Sequence, residues 1–114
     1  MSDNVLDAEN WKFEAQAVIN DIKNHVETAS ISSKIVSTNE KIYVNIRTIE
    51  GEDFCLELSA LGFRVCGNQP DTINEPTSEY YETPYGLLNV ISPKFRESFG
   101  NLLVTKLSEL QNKQ

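Results

Sequence analysis

Residues 41–67, KIYVNIRTIEGEDFCLELSALGFRVCG, carry the clearest structural signal in this chain of 114 residues. Apolar and polar side chains alternate on both sides of an EGED turn, in which Gly51 is free to take a positive φ angle. This period of two predicts two half-buried strands, and FRVCGN, after a short turn at residues 60–62, predicts a third. The apolar positions of the first two strands are Ile42, Val44, Ile46, Phe54, Leu56 and Leu58.

Another strand is predicted ahead of this stretch, at ISSKIVST (residues 31–38), which is rich in β-branched residues. Connections this short force neighbouring strands to run antiparallel, because a parallel crossover needs a dozen or more residues. The predicted architecture is α+β: an N-terminal helix, a four-stranded antiparallel meander sheet and two C-terminal helices. Two layers, with the helices on one face of the sheet, are the simplest way to bury all the apolar surface.

The first helix is predicted over residues 9–29, where apolar residues recur every three or four positions. Asp7 is its predicted N-cap. The apolar stripe consists of Trp11, Ala15, Val18, Ile19, Ile22, Val26 and Ala29, and the polar side consists of Lys12, Gln16, Asn20, Lys23, Asn24 and Glu27.

Two helices are predicted near the C-terminus, after one long loop. Residues 68–84, NQPDTINEPTSEYYETP, have no period and predict an exposed, mobile loop. YGLLNVI, residues 85–91, predicts a short helix. Ser92 is the predicted N-cap of the last helix, with Pro93 in its first turn and Glu97 adding negative charge near its start.

Composition and charge limit the partners of this chain. We expect one domain over residues 9–111, preceded by a disordered or frayed segment at residues 1–8. No apolar run approaches the roughly 20 residues of a membrane span, and the acidic start is unlike a signal peptide. The net charge is −7, which disfavours nucleic acid as a partner.

We expect a cytoplasmic monomer, with the nucleus as a second location. Cys55 and Cys66 are expected to be free, buried thiols.

Residues suited to catalysis or metal binding are scarce. His25 is the one histidine, so a zinc ligand set is missing and His25 is the only imidazole that could serve a nucleophile as base. A lone histidine beside the apolar stripe is interpreted as a packed or surface residue. The long loop's carboxylates are interpreted as solvated, and its tyrosines either anchor the loop or stack on a ligand. We therefore expect no cofactor, no metal and no enzyme activity. The loop residues concerned are Asp71, Glu75, Glu79 and Glu82, and Tyr80, Tyr81 and Tyr85.

The last helix, residues 92–111, has more apolar surface than one sheet face must cover. On a helical wheel its apolar residues occupy an arc of roughly 140°. One interpretation is deep packing in the protein's own core. In the other, Phe95, Phe99 and Leu102 seat the helix and the remaining residues extend towards a groove on another protein. The arc holds Phe95, Phe99, Leu102, Leu103, Leu107 and Leu110, with Lys106 inside it and Val104 beyond it.

Four stretches of the chain resemble the GSKIP family, small proteins that interact with glycogen synthase kinase 3. They are EAQAVIND at 14–21, CLELSALGFRVCG at 55–67, YETPYGLL at 81–88 and SPKFRESFGN at 92–101. They occur in the family's order and at its spacing, so the resemblance runs from about Glu14 to Leu110. A related domain occurs within much larger clustered-mitochondria proteins.

The resemblance implies the same α+β fold and a docking role for the last helix. It implies that this helix binds a hydrophobic channel on the kinase's C-terminal lobe, in competition with axin. An adaptor or scaffold of this kind would modulate or inhibit the kinase within Wnt signalling. Axin's helix has a similar pattern, and Leu107 matches the leucine on which family binding chiefly depends. The positions that fit the pattern are Phe99, Leu103, Val104, Leu107 and Leu110.

Vertebrate members of the family also anchor the regulatory subunit of protein kinase A through their N-terminal helix. The corresponding residues here are Val18, Ile19, Ile22 and Lys23. Ile19 matches one of the family's anchors, but Lys23 stands where an apolar residue should be, and burying a lysine without a partner is costly. We expect protein kinase A binding to be weak or absent.

Two other functions stay open for this sequence. One is a general interaction module of a larger, clustered-mitochondria-like assembly that never meets the kinase. The other is a small-molecule-binding or enzymatic domain that uses the tyrosine-rich loop.

Overall fold

The computed structural model describes residues 8–112, apart from the side chains of Leu103, Thr105 and residues 109–112. It confirms the α+β architecture, with one helix before a four-stranded antiparallel sheet and two helices after it. The elements are α1 (Ala8–Ile22), a 3-10 turn (Lys23–His25), β1 (Thr28–Ile31), β2 (Lys41–Arg47), β3 (Asp53–Ser59), β4 (Gly62–Gly67), α2 (Pro84–Ile91) and α3 (Pro93–Asn112).

The sheet is a meander in the order β1-β2-β3-β4, with every neighbouring pair antiparallel. Gly51, in the β2–β3 turn, has the predicted positive φ of 87°, and Gly62 opens β4 with a φ of 118°. The pairing of β3 with β4 shifts from Leu56–Val65 to Cys55–Gly67, which leaves one extra residue as a β-bulge.

The helices cover one face of the sheet. α1 lies over β1 and β2, and α2 contacts α1 and β4. α3 packs instead on α2 and on the 3-10 turn. The alternating apolar residues of β2 and β3 meet the stripe of α1 in one core, as their period predicted. Its buried members include Trp11, Ala15, Ile19, Ile22, Ile42, Val44, Ile46, Leu56, Leu58, Leu87, Leu88 and Phe95.

The predictions for residues 9–38 were wrong in their boundaries. The first helix ends at Ile22, not at residue 29, because the chain tightens into the 3-10 turn and Val26 is fully extended. The first strand is Thr28–Ile31, not residues 31–38. Val26 and Ala29 are nevertheless buried or half-buried, because Val26 packs into the core from the bend after the 3-10 turn and Ala29 does so from the inner face of β1.

The ends of the domain are described in part. The predicted frayed segment, residues 1–8, and the Asp7 cap lie outside the described residues, except that Ala8 begins α1. At the other end, α3 continues to Asn112, whereas fraying was predicted after Leu110.

The face of the sheet opposite the helices is covered by the segments after β1 and after β4. Cys55 and Cys66 are buried there as free thiols, next to Tyr43, with Ile35 packed against them. The loop after β4 is exposed, as predicted, but its backbone bonds to the free edge of β4. The backbone N–H of Thr77, for example, donates to the Val65 carbonyl at 2.9 Å.

Candidate functional site

The first turn of α3 is fixed to the β2–β3 turn through Glu50. The Ser92 hydroxyl accepts a hydrogen bond from the Phe95 N–H at 3.0 Å, which is the predicted N-cap. The same hydroxyl donates to Oε1 of Glu50 at 2.7 Å, and the Lys94 N–H donates to Oε2 at 2.8 Å. These bonds, led by that from Lys94, lower the pKa of Glu50 to about 2. The carboxylate is therefore ionised at neutral pH and satisfies the otherwise free donors at the helix start.

The next turn of α3 packs against the domain through an aromatic cluster. Phe95 is fully buried and stacks on Phe99 with ring centroids 5.5 Å apart. Phe99 is half-buried and stacks on Tyr85 of α2 at 4.8 Å. His25 meets both phenylalanines edge-on, and its Nδ1 lies 2.7 Å from the hydroxyl of Ser98. Phe99, the first residue of the predicted docking set, thus also belongs to the domain's own packing.

Beyond Gly100 every described side chain of α3 is exposed. Val104 is 63% exposed and Leu107 is 60% exposed. Leu102, which was predicted to help seat the helix, is 38% exposed, because the packing of α3 against α2 ends one turn earlier. Leu103 and Leu110 lie in α3 by their backbone, but their side chains are outside the described part of the structure.

The exposed second half of α3 is long enough to lie in a groove on a partner protein. At 1.5 Å per residue, the twelve residues from Asn101 to the end of α3 at Asn112 extend over about 18 Å. This half presents isolated apolar side chains and no cluster of acid, base or nucleophile among those described. The arrangement can supply an apolar helix face to a groove.

Three of the four residues matched to protein kinase A anchoring belong to the core instead. Ile19 and Ile22 are buried and Val18 is half-buried against the same cluster. Lys23 is exposed in the 3-10 turn. The four positions therefore do not form a free apolar face on α1.

The other candidate side chains also have structural roles. Tyr81 pairs its backbone with Phe63, and Tyr80 lies under the Arg64 guanidinium at 5.1 Å. Asp71 accepts a hydrogen bond from Ser32, which ties the two covering segments together, and another from Asn45 of β2, which ties them to the sheet. The described residues include no group of three histidine, cysteine or acidic side chains that could hold a metal ion. None of the described helices is long and apolar enough to cross a membrane.

Two residues that shape this site could not be recognised from the sequence. Glu50 was assigned only to a turn, although it holds the start of α3 from 42 positions away. Ser98, within the SPKFRESFGN block, was not singled out, although it bonds to His25 across 73 positions. An acidic residue in a tight turn and a serine on a helix are each too common to signal such a contact.

Comparison with known proteins agrees with the resemblance of the four stretches. The GSKIP domain family matches residues 11–110, which run from Trp11 of α1 into the last turns of α3. The chain is 39% identical over 106 residues to GSK3-beta interaction protein of Danio rerio, covering 92% of this chain and 80% of that protein. It is 37% identical to GSK3B-interacting protein of Bos taurus and 35% identical to that of Homo sapiens. These two matches also cover 106 residues, 92% of this chain and 76% of each relative.

Proposed function

This chain belongs to the GSKIP domain family, and from that premise we propose that it binds glycogen synthase kinase 3 through the second half of α3. The relatives are named as proteins that interact with GSK3-beta. The proposal extends that interaction to this chain and assigns it to the helix face that carries Phe99, Leu103, Val104, Leu107 and Leu110.

One observation carries the assignment: Val104 and Leu107 are both more than half exposed on a helix whose described side chains are packed in the first two turns and exposed beyond Gly100. Isolated exposed apolar residues are common on protein surfaces. Here, however, they continue the apolar pattern of a helix that is already folded and held at its start. A preformed helix loses less conformational entropy on binding than an unfolded segment would.

The energetics support a reversible complex. Burying each large aliphatic side chain contributes roughly 1.5–3 kcal/mol, and association and ordering oppose this by several kcal/mol. Three or four such side chains therefore suffice for a useful affinity that still allows exchange.

The mechanism that we propose is occupancy of the kinase groove, without catalysis. A bound α3 would exclude axin from the same channel, so the chain would act as a non-enzymatic adaptor that redirects or inhibits the kinase. Ile19 and Ile22 are enclosed in the core, which supports the further proposal that protein kinase A anchoring is weak or absent.

Calorimetry with purified kinase tests the assignment. Leu107→Ala should raise the Kd by roughly 30-fold, about 2 kcal/mol, while the circular dichroism spectrum stays that of the wild type. Leu61→Ala is the matched control, because Leu61 is 70% exposed but lies in the β3–β4 turn. Equal affinity of wild type and Leu107→Ala would count against docking through α3, and no binding of the wild type to the kinase would favour a general interaction module.

A further inference from the structure

A cleft of about 540 Å³ opens at the end of the sheet where β2 begins and β3 ends, between Lys41 and Ser59. The Glu50 contact to α3 lies beyond the other end of β2. Since β2 has seven residues, the two ends are about 20 Å apart. The cleft is thus separate from the candidate docking helix, and its volume is in the usual range for small-molecule sites.

The walls of the cleft are rich in carbon atoms. Trp11 borders the cleft with the small part of it that is not buried, and its Nε1 is occupied by a 3.0 Å hydrogen bond to the Asn39 carbonyl. Leu61 stands at the rim with most of its side chain exposed. The Tyr80 ring is held in place beneath the Arg64 guanidinium. These side chains suit a ligand with an apolar, preferably aromatic, body.

The charge at the floor of the cleft is internally neutralised. The carboxylate of Glu57 is buried, and both of its oxygens accept hydrogen bonds from Arg64, at 3.1 and 3.2 Å. The Tyr43 hydroxyl donates a third, at 3.0 Å. Burial opposes ionisation of Glu57, but these donors outweigh it and lower its pKa. Glu57 therefore has little capacity left to bind a ligand cation.

Lys41 is a cation on this cleft whose charge is only weakly paired within the Glu57 network. Among the described residues its ion pair is one contact to Glu57 at 3.9 Å, and its side chain is 41% exposed. Glu57 is already satisfied by Arg64 and Tyr43 at shorter distances. The ammonium group is therefore free to meet an anion in the cleft. Glu40, exposed on the same rim, would repel a second negative charge.

We propose that this cleft binds a small organic monocarboxylate, with its apolar body between Trp11, Leu61 and Tyr80 and its carboxylate on Lys41. The site is independent of kinase docking, because it shares no residue with α3.

Fluorescence of Trp11, the one tryptophan of the chain, gives a direct readout. The probes are phenylbutyrate, phenylbutanol and phenylbutylamine, which differ in the charge of the head group. Phenylbutyrate should bind with a Kd of roughly 1 mM and about threefold to tenfold tighter than phenylbutanol, with phenylbutylamine weakest. Amide NMR shifts at residues 59–64 provide a second readout in case the indole signal is silent.

Matched variants identify the anion partner. Lys41→Gln should remove the preference for phenylbutyrate over phenylbutanol, and Lys12→Gln, an equal charge change on the outer side of α1, should keep it. Leu107→Ala should bind phenylbutyrate as the wild type does. Three results would overturn the proposal: no saturable change by either readout, equal binding of the amine and the carboxylate, or a carboxylate preference that persists in Lys41→Gln.

Discussion

The carboxylate of Glu50 accepts a 2.7 Å hydrogen bond from the hydroxyl of Ser92, and this contact joins the β2–β3 turn to the start of α3. The hydroxyl in turn caps the helix through the Phe95 N–H. A residue of the sheet therefore sets where α3 begins and in which direction its exposed half points. The proposed docking surface therefore depends on a contact that lies at the opposite end of the helix.

Glu50→Gln should make the stability of the domain less dependent on pH. The pKa of Glu50 falls from its ordinary value of 4.5 to about 2 in the folded protein. A lowered carboxyl pKa means that the folded state binds the proton less readily than the unfolded state. The contribution is therefore fully present above about pH 4.5 and is lost as the pH falls to about 2.

Urea denaturation at several pH values checks this expectation. The free energy of unfolding of the wild type should exceed that of Glu50→Gln at pH 6, and the difference should shrink towards zero near pH 2. A difference that stays constant over this window would show that the ionised carboxylate does not hold the helix.

Replacing a large side chain by alanine should destabilise the domain strongly in the first half of α3 and hardly at all in the second half. Phe95→Ala removes a fully buried ring and should lower the free energy of unfolding by about 3–5 kcal/mol. Leu107→Ala should change it by no more than about 0.5 kcal/mol, because the side chain is exposed. Chemical denaturation followed by circular dichroism measures both values. A loss of several kcal/mol in Leu107→Ala would mean that this residue belongs to the core.

Protein kinase A anchoring should be weak or absent. A regulatory-subunit docking domain needs an exposed apolar helix face. Ile19 and Ile22 lie on the side of α1 that is buried in the core. Replacing Lys23 by leucine should not restore binding, because the neighbouring apolar residues stay enclosed. Fluorescence anisotropy with the docking domain and the folded chain tests this. A nanomolar complex with the wild type would contradict it.

The strands were predictable where the local sequence pattern was compatible with only one secondary structure. The alternation of Ile42, Val44 and Ile46 and the glycine at position 51 specified the β2–β3 hairpin, which the structure confirms. The boundary of α1 was not predictable, because Ala29 continues the helical spacing of the α1 stripe and also fits, with Ile31, the inner face of a strand. Local period alone cannot choose between them.

The predictions failed where long-range partners decide the structure. Ser32 was assigned to a strand, but its hydroxyl bonds to Asp71, 39 positions away, and accepts the Ile35 N–H. These bonds turn the chain out of the sheet. Likewise, the apolar arc of α3 was visible in the sequence, but the packing extends only as far as the first turn of α2, where Tyr85 stacks on Phe99. The division after Phe99 therefore required the structure.

Two glycines with positive φ should differ in what they tolerate. An alanine at position 51 would find nothing within 4 Å and should cost about 1–2 kcal/mol of backbone strain. At position 62 the added Cβ would stand 2.4 Å from the Tyr81 carbonyl oxygen, so Gly62→Ala should cost more than about 3 kcal/mol. Thermal unfolding of both variants compares them. Equal losses would show that the pairing of Phe63 with Tyr81 is not important for stability.

Amide hydrogen exchange of the chain, alone and with stoichiometric glycogen synthase kinase 3, tests kinase docking through α3 most directly. It needs no variant and reports on every element at once. Protection should appear in residues 99–110 on adding the kinase, with the strands and α1 unchanged. Unchanged exchange in α3, or protection confined to another element, would contradict the assignment of α3 as the docking helix.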